Sequence, residues 1–320
     1  MDFRLLGPVE VRDHGVPVRL GGTRQRTLVA ALALRAGHAV SVARLTDDIW
    51  DGAPPATADQ QVRSAVSQLR RVLGDRIATR PTGYQLRVAP GDVDVHAFQA
   101  TVATARGLAS GGSSHRAGRQ FRQALALWRG PALDGVTGMR AEARCLEEYR
   151  LAVLEECLDL ELALGRELDR VAELVRLVHA NPLRERLRGQ LMVALYRCGR
   201  QAEAVTTFHE ARRLLREELG MDPDRRLLDL YARILARDPS LDGPHPNAFV
   251  PGRPDQPVVA LSPTPPRGYP FLHGRTLGQP GAQKPRLPLD TSSFATGSRL
   301  NRRRSFPAAT KRGPLNPASK

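Results

Sequence analysis

Amide, hydroxyl and guanidinium side chains recur at helical spacing between Thr57 and Gly74. On the opposite side of this segment, apolar residues follow the i, i+3, i+4 and i+7 spacing of a buried stripe, which predicts an amphipathic helix. Glutamine and arginine can each form two hydrogen bonds to one base edge, and such a helix fits the major groove of DNA. Taken alone, the pattern also fits an ordinary solvated helix face. The polar face consists of Gln60, Ser64, Ser67, Gln68 and Arg71.

Two further basic segments accompany this helix. Residues 23–26 read Thr-Arg-Gln-Arg at the predicted start of an earlier helix, where backbone N–H groups and the side chains of Arg24 and Arg26 favour a phosphate. Arg80 lies beside a Pro-Thr-Gly turn between two short strand patterns, which a minor groove or the adjacent DNA backbone could receive. Together with the amphipathic helix, these segments favour nucleic acid as the ligand.

Positive charge is unevenly distributed along the 320 residues. Residues 1–90 carry 13 arginines against 8 acidic residues, whereas residues 91–242 carry 23 of each sign. Because basic side chains that neutralise phosphates supply most nonspecific affinity for nucleic acids, only the first segment is expected to meet a polyanion.

The last segment, residues 243–320, has 12 basic and 2 acidic residues and 15 of the chain's 25 prolines, a composition that predicts a disordered tail. Three interpretations of this tail stay open. It could be a linker, an electrostatic DNA arm around residues 302–304, or the product of a shifted reading frame at the end of the gene.

The motifs of common enzyme mechanisms are missing from the sequence, which has no phosphate-binding loop, dinucleotide fingerprint, HExxH or GxSxG. Cys145, Cys157 and Cys198 form no CxxC pair and fall in apolar helical patterns, so we expect reduced core thiols and no metal site. The N-terminus lacks the apolar core of a signal peptide, and no stretch resembles a membrane span. The sequence therefore predicts a cytoplasmic protein that is not an enzyme and needs no cofactor.

The first 90 residues follow the order of a winged helix, which is an α+β fold. Residues 2–12 and 16–20 predict a hairpin around His14. Three helices should follow, with Thr23, Ser41 and Thr57 as candidate N-caps. Residues 77–80 and 84–88 predict a second hairpin.

Residues 91–242 predict an all-α domain, because amphipathic segments follow one another with almost no strand pattern. Apolar residues on either side of Gly199 loosely match one tetratricopeptide unit, which is a helix-turn-helix pair. Pro182 and Pro223 are expected at the first positions of helices.

Several segments resemble a known family. LGPVEV, LGGTRQRTLVAALALRAGHAVS, LTDDIW, SQLRRVLG and TRPTGYQLRV are similar to the OmpR-type winged helix of the Streptomyces antibiotic regulatory protein family. ANPLRERLRGQLMVALYRCGRQAEAV and LREELGMDPDRRLLDLYARIL are similar to the bacterial transcriptional activator domain that follows it in that family. The resemblance covers about residues 1–240.

This resemblance implies activation of a specialised-metabolite gene cluster, by binding double-stranded promoter DNA at direct repeats and recruiting RNA polymerase. It also implies a head-to-tail homodimer on DNA. The family's wing role falls on Arg80, and Arg70 is expected to contact a phosphate because it lies nearer the apolar stripe. Matching positions give the recognition-helix role to Gln60, Gln61, Ser64, Ser67, Gln68, Arg70 and Arg71.

Larger members of the family append an ATPase domain, and the lack of a phosphate-binding loop here indicates the short form. Two other hypotheses stay open. The chain could be a helical-repeat scaffold whose basic first domain docks a protein or membrane surface, or an enzyme with an unrecognised site.

Overall fold

The N-terminal sheet forms from three short strands, of which the first two bury Phe3 and Val11 in the core. The computed structural model describes residues 1–243, so the expected disordered tail lies outside them except for Gly243. Strands β1 (Asp2–Arg4), β2 (Glu10–Asp13) and β3 (Val16–Val18) pair antiparallel in chain order. The turn at His14 is confirmed, but residues 2–12 form two strands rather than one. Residues 5–9 interrupt them because they pair with a distant loop instead.

Three helices follow the sheet: α1 (Thr23–Leu34), α2 (Val42–Trp50) and α3 (Ala58–Leu73). Every residue of α1 from Thr27 to Ala33 is buried, which makes α1 the central helix of this region. Ser41 caps α2 as expected, since its hydroxyl accepts a hydrogen bond from the backbone N–H of Arg44. Thr23 is not a cap, because it already lies in the first turn after Gly22. Thr57 holds the N-cap position of α3, but its hydroxyl accepts from the Gln61 side chain instead of the backbone.

The second sheet combines a strand that the sequence did not reveal with the expected hairpin. Strand β4 (Ala39–Ser41) pairs with β6 (Gly83–Leu86), which pairs in turn with β5 (Ile77–Arg80). Gly83 has a φ of +153°, and a Cβ atom there would lie 2.0 Å from the carbonyl oxygen of Val40. Only glycine therefore lets the hairpin lie this close to β4.

Residues 94–235 form an all-α region, as the sequence predicts. Its helices are α4 (Asp94–Ser110), α5 (Ser114–Leu125), α6 (Arg140–Ala163), α7 (Glu167–Ala180), α8 (Glu185–Arg197), α9 (Gln201–Leu219) and α10 (Arg225–Leu235). Helices α8 and α9 form the expected pair around Gly199. The prolines are not at first helical positions. Pro182 precedes α8 by three residues, and Pro223 precedes the N-cap Asp224, whose carboxylate accepts from the backbone N–H of Leu227.

The three cysteines are free thiols in different environments. Cys157 is buried, and burial raises the pKa of its thiol to about 12, so it stays protonated and unreactive at neutral pH. Cys145 is exposed and Cys198 is half-buried, so the expectation of three core thiols holds only for Cys157. Within residues 1–243, no group of acidic, histidine or cysteine side chains could hold a metal ion, and no helix could cross a membrane.

Hydrophobic packing does not divide at residue 90. One core extends from Phe3 to Cys157 and joins the winged helix to α4, α5 and the first three quarters of α6. A second core extends from Leu158 to Leu241 and contains the rest of α6 with α7–α10. Helix α6 therefore belongs to both cores.

Backbone hydrogen bonds connect residues 5–9 to the loop between α5 and α6. The N–H groups of Arg129 and Leu133 donate to the carbonyls of Leu6 (2.8 Å) and Leu5 (2.9 Å). The Asp94 carboxylate, at the start of α4, accepts from the N–H groups of Leu5 (2.8 Å) and Leu6 (3.0 Å). We call this set of contacts the junction.

An ion cluster forms a second contact between the winged helix and the helical region, and we count it as part of the junction. Asp48, which is buried, pairs with Arg35 and Arg44 at 3.0 Å each, and Glu142 of α6 contacts both arginines. Burial raises the pKa of Asp48 although the two arginines oppose the shift. Gly138 lies so close to α2 that a Cβ atom at this position would be 2.1 Å from the backbone carbonyl oxygen of Asp48.

We predict that Asp94→Asn destabilises the whole fold. The substitution replaces a carboxylate that accepts from two backbone N–H groups by an amide, and losing hydrogen bonds to a charged group costs about 1.5 to 3 kcal/mol. Urea unfolding of the full chain would measure the loss. Asp75→Asn, at an exposed position, is the matched control. Equal stability of the two variants would contradict a structural role for Asp94.

Candidate nucleic-acid interface

Helix α3 presents the polar face that its sequence predicts. Val62, Val66 and Leu69 are buried against the winged-helix core. Gln61 is half-buried at the edge of the opposite face. The exposed residues on that face are Gln60, Ser64, Ser67, Gln68 and Arg71. A continuous row of hydrogen-bonding side chains is therefore available to a ligand.

The N-terminus of α1 borders this face on one side. Arg24 donates a hydrogen bond to the side-chain oxygen of Gln61 (2.8 Å), and Gln25 donates to that of Gln68 (2.5 Å). The guanidinium of Arg24 also lies 5.6 Å from the ring centroid of Trp50, at the end of α2. A shallow cleft is lined by the N-cap Gly22 and residues 23–25 of α1 together with residues of α3. The first turn of α1 and the outer face of α3 thus form one surface.

Arg26 does not join this surface. It is half-buried, and its guanidinium donates to the carbonyl oxygen of Gly135 at 3.4 Å, in the loop that contacts the winged helix. Two residues advance an α-helix by about 200°, so Arg24 and Arg26 point to nearly opposite sides of α1. The sequence motif placed them together, but the helix separates them.

The β5–β6 hairpin borders α3 on its other side, and Arg70 connects the two. Its guanidinium donates to the carbonyl oxygen of Ile77 (3.0 Å) and to the hydroxyl of Thr79 (2.7 Å), and it lies 5.8 Å from the ring centroid of Tyr84. Arg70 therefore holds the hairpin against α3. Arg80 is exposed near the hairpin turn, where it donates to Gln85.

Several arginines around α3 have no acidic partner within residues 1–243, unlike the arginines of the junction. Among the described residues, Arg24, Arg71 and Arg80 form no ion pair, whereas Arg35 and Arg44 at the junction pair with carboxylates. The surface therefore keeps its positive charge, which favours a polyanionic ligand.

Two residues of this surface were missed from the sequence. Arg63 is exposed on α3 and has no ion pair within residues 1–243, but it lies about a quarter turn from the apolar stripe. Gln25 belongs to the basic Thr-Arg-Gln-Arg segment, yet only the fold shows that it contacts Gln68. A wider helical wheel would have found Arg63, whereas no local signal could have found the contact of Gln25.

Comparison with known families and proteins agrees with this architecture. Residues 16–86 match the family "Transcriptional regulatory protein, C terminal", and residues 93–235 match "Bacterial transcriptional activator domain". The regulatory protein DnrI of Streptomyces peucetius is 37% identical over 257 residues, which cover 76% of this chain and 94% of that protein.

Longer relatives match only in part. The regulatory protein AfsR of Streptomyces coelicolor is 42% identical over 243 residues, which cover 75% of this chain and 24% of that protein. The chain thus spans about a quarter of the length of AfsR. The solved structure of Mycobacterium tuberculosis EmbR in complex with a low-affinity phosphopeptide superposes with a TM-score of 0.70 at 33% identity, covering 74% of this chain and 65% of that one.

With both family models in the expected order and DnrI matched over nearly its whole length, the chain belongs to the Streptomyces antibiotic regulatory protein family of transcriptional regulators.

Proposed function

We propose that this protein activates transcription by reading promoter DNA with α3 in the major groove. The observation that carries the proposal is the outer face of α3, where exposed amides, hydroxyls and Arg71 are flanked on both sides by arginines that have no acidic partner within residues 1–243. Amides and guanidinium groups supply the bidentate contacts that distinguish adenine and guanine, and the flanking charges supply phosphate affinity.

The residues divide into three roles in this proposal. Arg24, Arg63 and Arg80 contact phosphates because they are exposed and unpaired among the described residues. Arg26 and Arg70 act inside the protein, since their guanidinium groups are used by the α5–α6 loop and by the hairpin. The residues that read bases are Gln60, Gln61, Ser64, Ser67, Gln68 and Arg71.

The family resemblance extends the proposal to the target and the partner. We propose that the target is a specialised-metabolite gene cluster and that the bound protein recruits RNA polymerase. Two copies would bind direct repeats head to tail, which is a heterologous arrangement in which different surfaces of the two copies meet.

We predict that Gln68→Ala and Arg71→Ala each lower the preference for the promoter over random duplex. Each lost base contact costs on the order of 1 to 3 kcal/mol, whereas affinity for random DNA depends mainly on phosphates. Binding to both duplexes at one fixed salt concentration measures the preference. Arg213→Ala, on the exposed face of α9, is the matched control. Unchanged preference in both α3 variants would remove α3 from the reading role.

We predict that Arg70→Gln loosens the hairpin in the free protein. Losing the hydrogen bonds to Ile77 and Thr79 should speed amide hydrogen exchange in β5 and β6 by about tenfold, since a hydrogen bond is worth on the order of 1 kcal/mol. Arg71→Gln, one residue away and exposed, should leave exchange unchanged. If Arg70 instead served only as a phosphate contact, hairpin exchange would be the same in both variants.

We predict that activation depends on the rotational phase of the two repeats. Inserting about 5 base pairs between them, which is half of a helical turn of roughly 10 base pairs, puts the second copy on the opposite face of the duplex. Cooperative binding and reporter expression should then be lost, while an insertion of a full turn should retain part of both. Full activation after the half-turn insertion would refute the head-to-tail pair but not single-site recognition.

A further inference from the structure

A cleft lies where α5, α6 and α7 meet, far along the chain from α3. Its volume is about 280 Å³. We call it the three-helix cleft. It is lined by Arg122, Leu125, Arg150, Leu154, Glu173, Arg176 and Leu177. Each helix thus contributes at least one arginine and one leucine, so that guanidinium groups and apolar surface converge from three directions.

Part of the charge in this cleft is already neutralised. Arg122 donates to both oxygens of Glu173 (2.8 and 2.9 Å) and to both oxygens of Glu161, and Arg170 pairs with the same two carboxylates. Two positive and two negative groups form a closed network. Bidentate contacts of this kind fix the geometry of a guanidinium, so Arg122 forms a rigid wall of the cleft.

Two other arginines of the cleft are not neutralised in this way. Arg176 is exposed and makes no ion pair with any residue in the described part of the chain. Arg150 lies 4.8 Å from the ring centroid of Trp128, and its one acidic contact among residues 1–243 is Glu147, at 3.7 Å on the same helix. An exposed pair at that distance contributes little, so the cleft keeps excess positive charge beside its leucines.

We propose that the three-helix cleft binds a small organic anion with an apolar body, such as a carboxylate or sulfonate on a ring or chain. The acid group would bind between Arg150 and Arg176, and the apolar part would cover Leu125, Leu154 and Leu177. The volume lies just below the range of drug-sized ligand pockets, which is roughly 300 to 1,000 Å³, so the cleft suits a small molecule better than a peptide. Apolar lining with a few converging charged groups is the usual composition of such sites.

The experiment uses the full chain and two probes of one scaffold. 8-Anilinonaphthalene-1-sulfonate is an amphipathic anion, and N-phenyl-1-naphthylamine is its uncharged counterpart. Fluorescence titration of each probe would be performed on the native protein and on Arg176→Gln, Arg150→Gln and Arg213→Gln. Arg213 is an exposed arginine outside the cleft and serves as the matched control.

We expect Arg176→Gln and Arg150→Gln each to weaken binding of the sulfonate by about tenfold, which corresponds to about 1.4 kcal/mol, because each variant removes one positive charge from the site of the acid group. Arg213→Gln should not change it, and the uncharged probe should not distinguish the variants. The side chain of Arg176 is exposed and forms no hydrogen bond or ion pair within residues 1–243, so its variant tests the proposal even if Arg150→Gln unfolds. Equal sulfonate affinity in Arg176→Gln and Arg213→Gln, or no sulfonate binding to the native protein, would overturn the proposal. Promoter binding without probe should be the same in all folded variants, which separates this test from that of α3.

Discussion

The junction is the contact on which the rest of the structure depends. Residues 5–9 leave the N-terminal sheet and give their backbone hydrogen bonds to residues 129–134 and to Asp94. Buried backbone N–H and C=O groups must form hydrogen bonds, so neither segment could keep its backbone conformation without the other. The first core is continuous for the same reason, because the junction brings α4 and α5 against the winged helix. The surface formed by α1, α3 and the hairpin therefore lies on a core that the winged helix shares with the helical region.

The arginines of this protein differ in whether a carboxylate neutralises them. Those with a carboxylate partner stabilise the fold, and in the proposed function those without one bind DNA. At the junction, Arg35 and Arg44 pair with Asp48 and Glu142, where an unpaired buried charge would be costly. Around α3, Arg24, Arg71 and Arg80 form no ion pair within residues 1–243, and in the proposed function their charge binds DNA. Removing one partner of the buried cluster should therefore affect folding, whereas replacing an exposed arginine of α3 should affect binding. Composition alone cannot show this difference, since both sets belong to the same basic segment of the sequence.

Local rules predicted the features that depend on neighbouring residues. The stripe of α3, the cap at Ser41 and the helix pair around Gly199 were predicted because spacing and turn residues determine them. Strand β4 was missed because three residues carry too weak a pattern and its pairing with β6 joins distant segments. The hydrogen bonds of Arg26 and Arg70 were also beyond prediction. Their partners, Gly135 and Ile77, are a loop carbonyl and a strand carbonyl that only the folded chain brings close.

Helix α6 links the two cores, and its length has a mechanical consequence. Its 24 residues correspond to about 36 Å of continuous helix. Glu142, near the start of α6, contacts the arginines of the junction. Further along the helix, Arg150 and Leu154 line the three-helix cleft. Leu158 then begins the second core. A flexible linker would let the second core sample many positions relative to the DNA-binding surface, whereas a helix packed into both cores holds the second core in one position. An activator must present a surface to RNA polymerase at a defined place on the promoter, and a rigid α6 supplies that constraint in the proposed function.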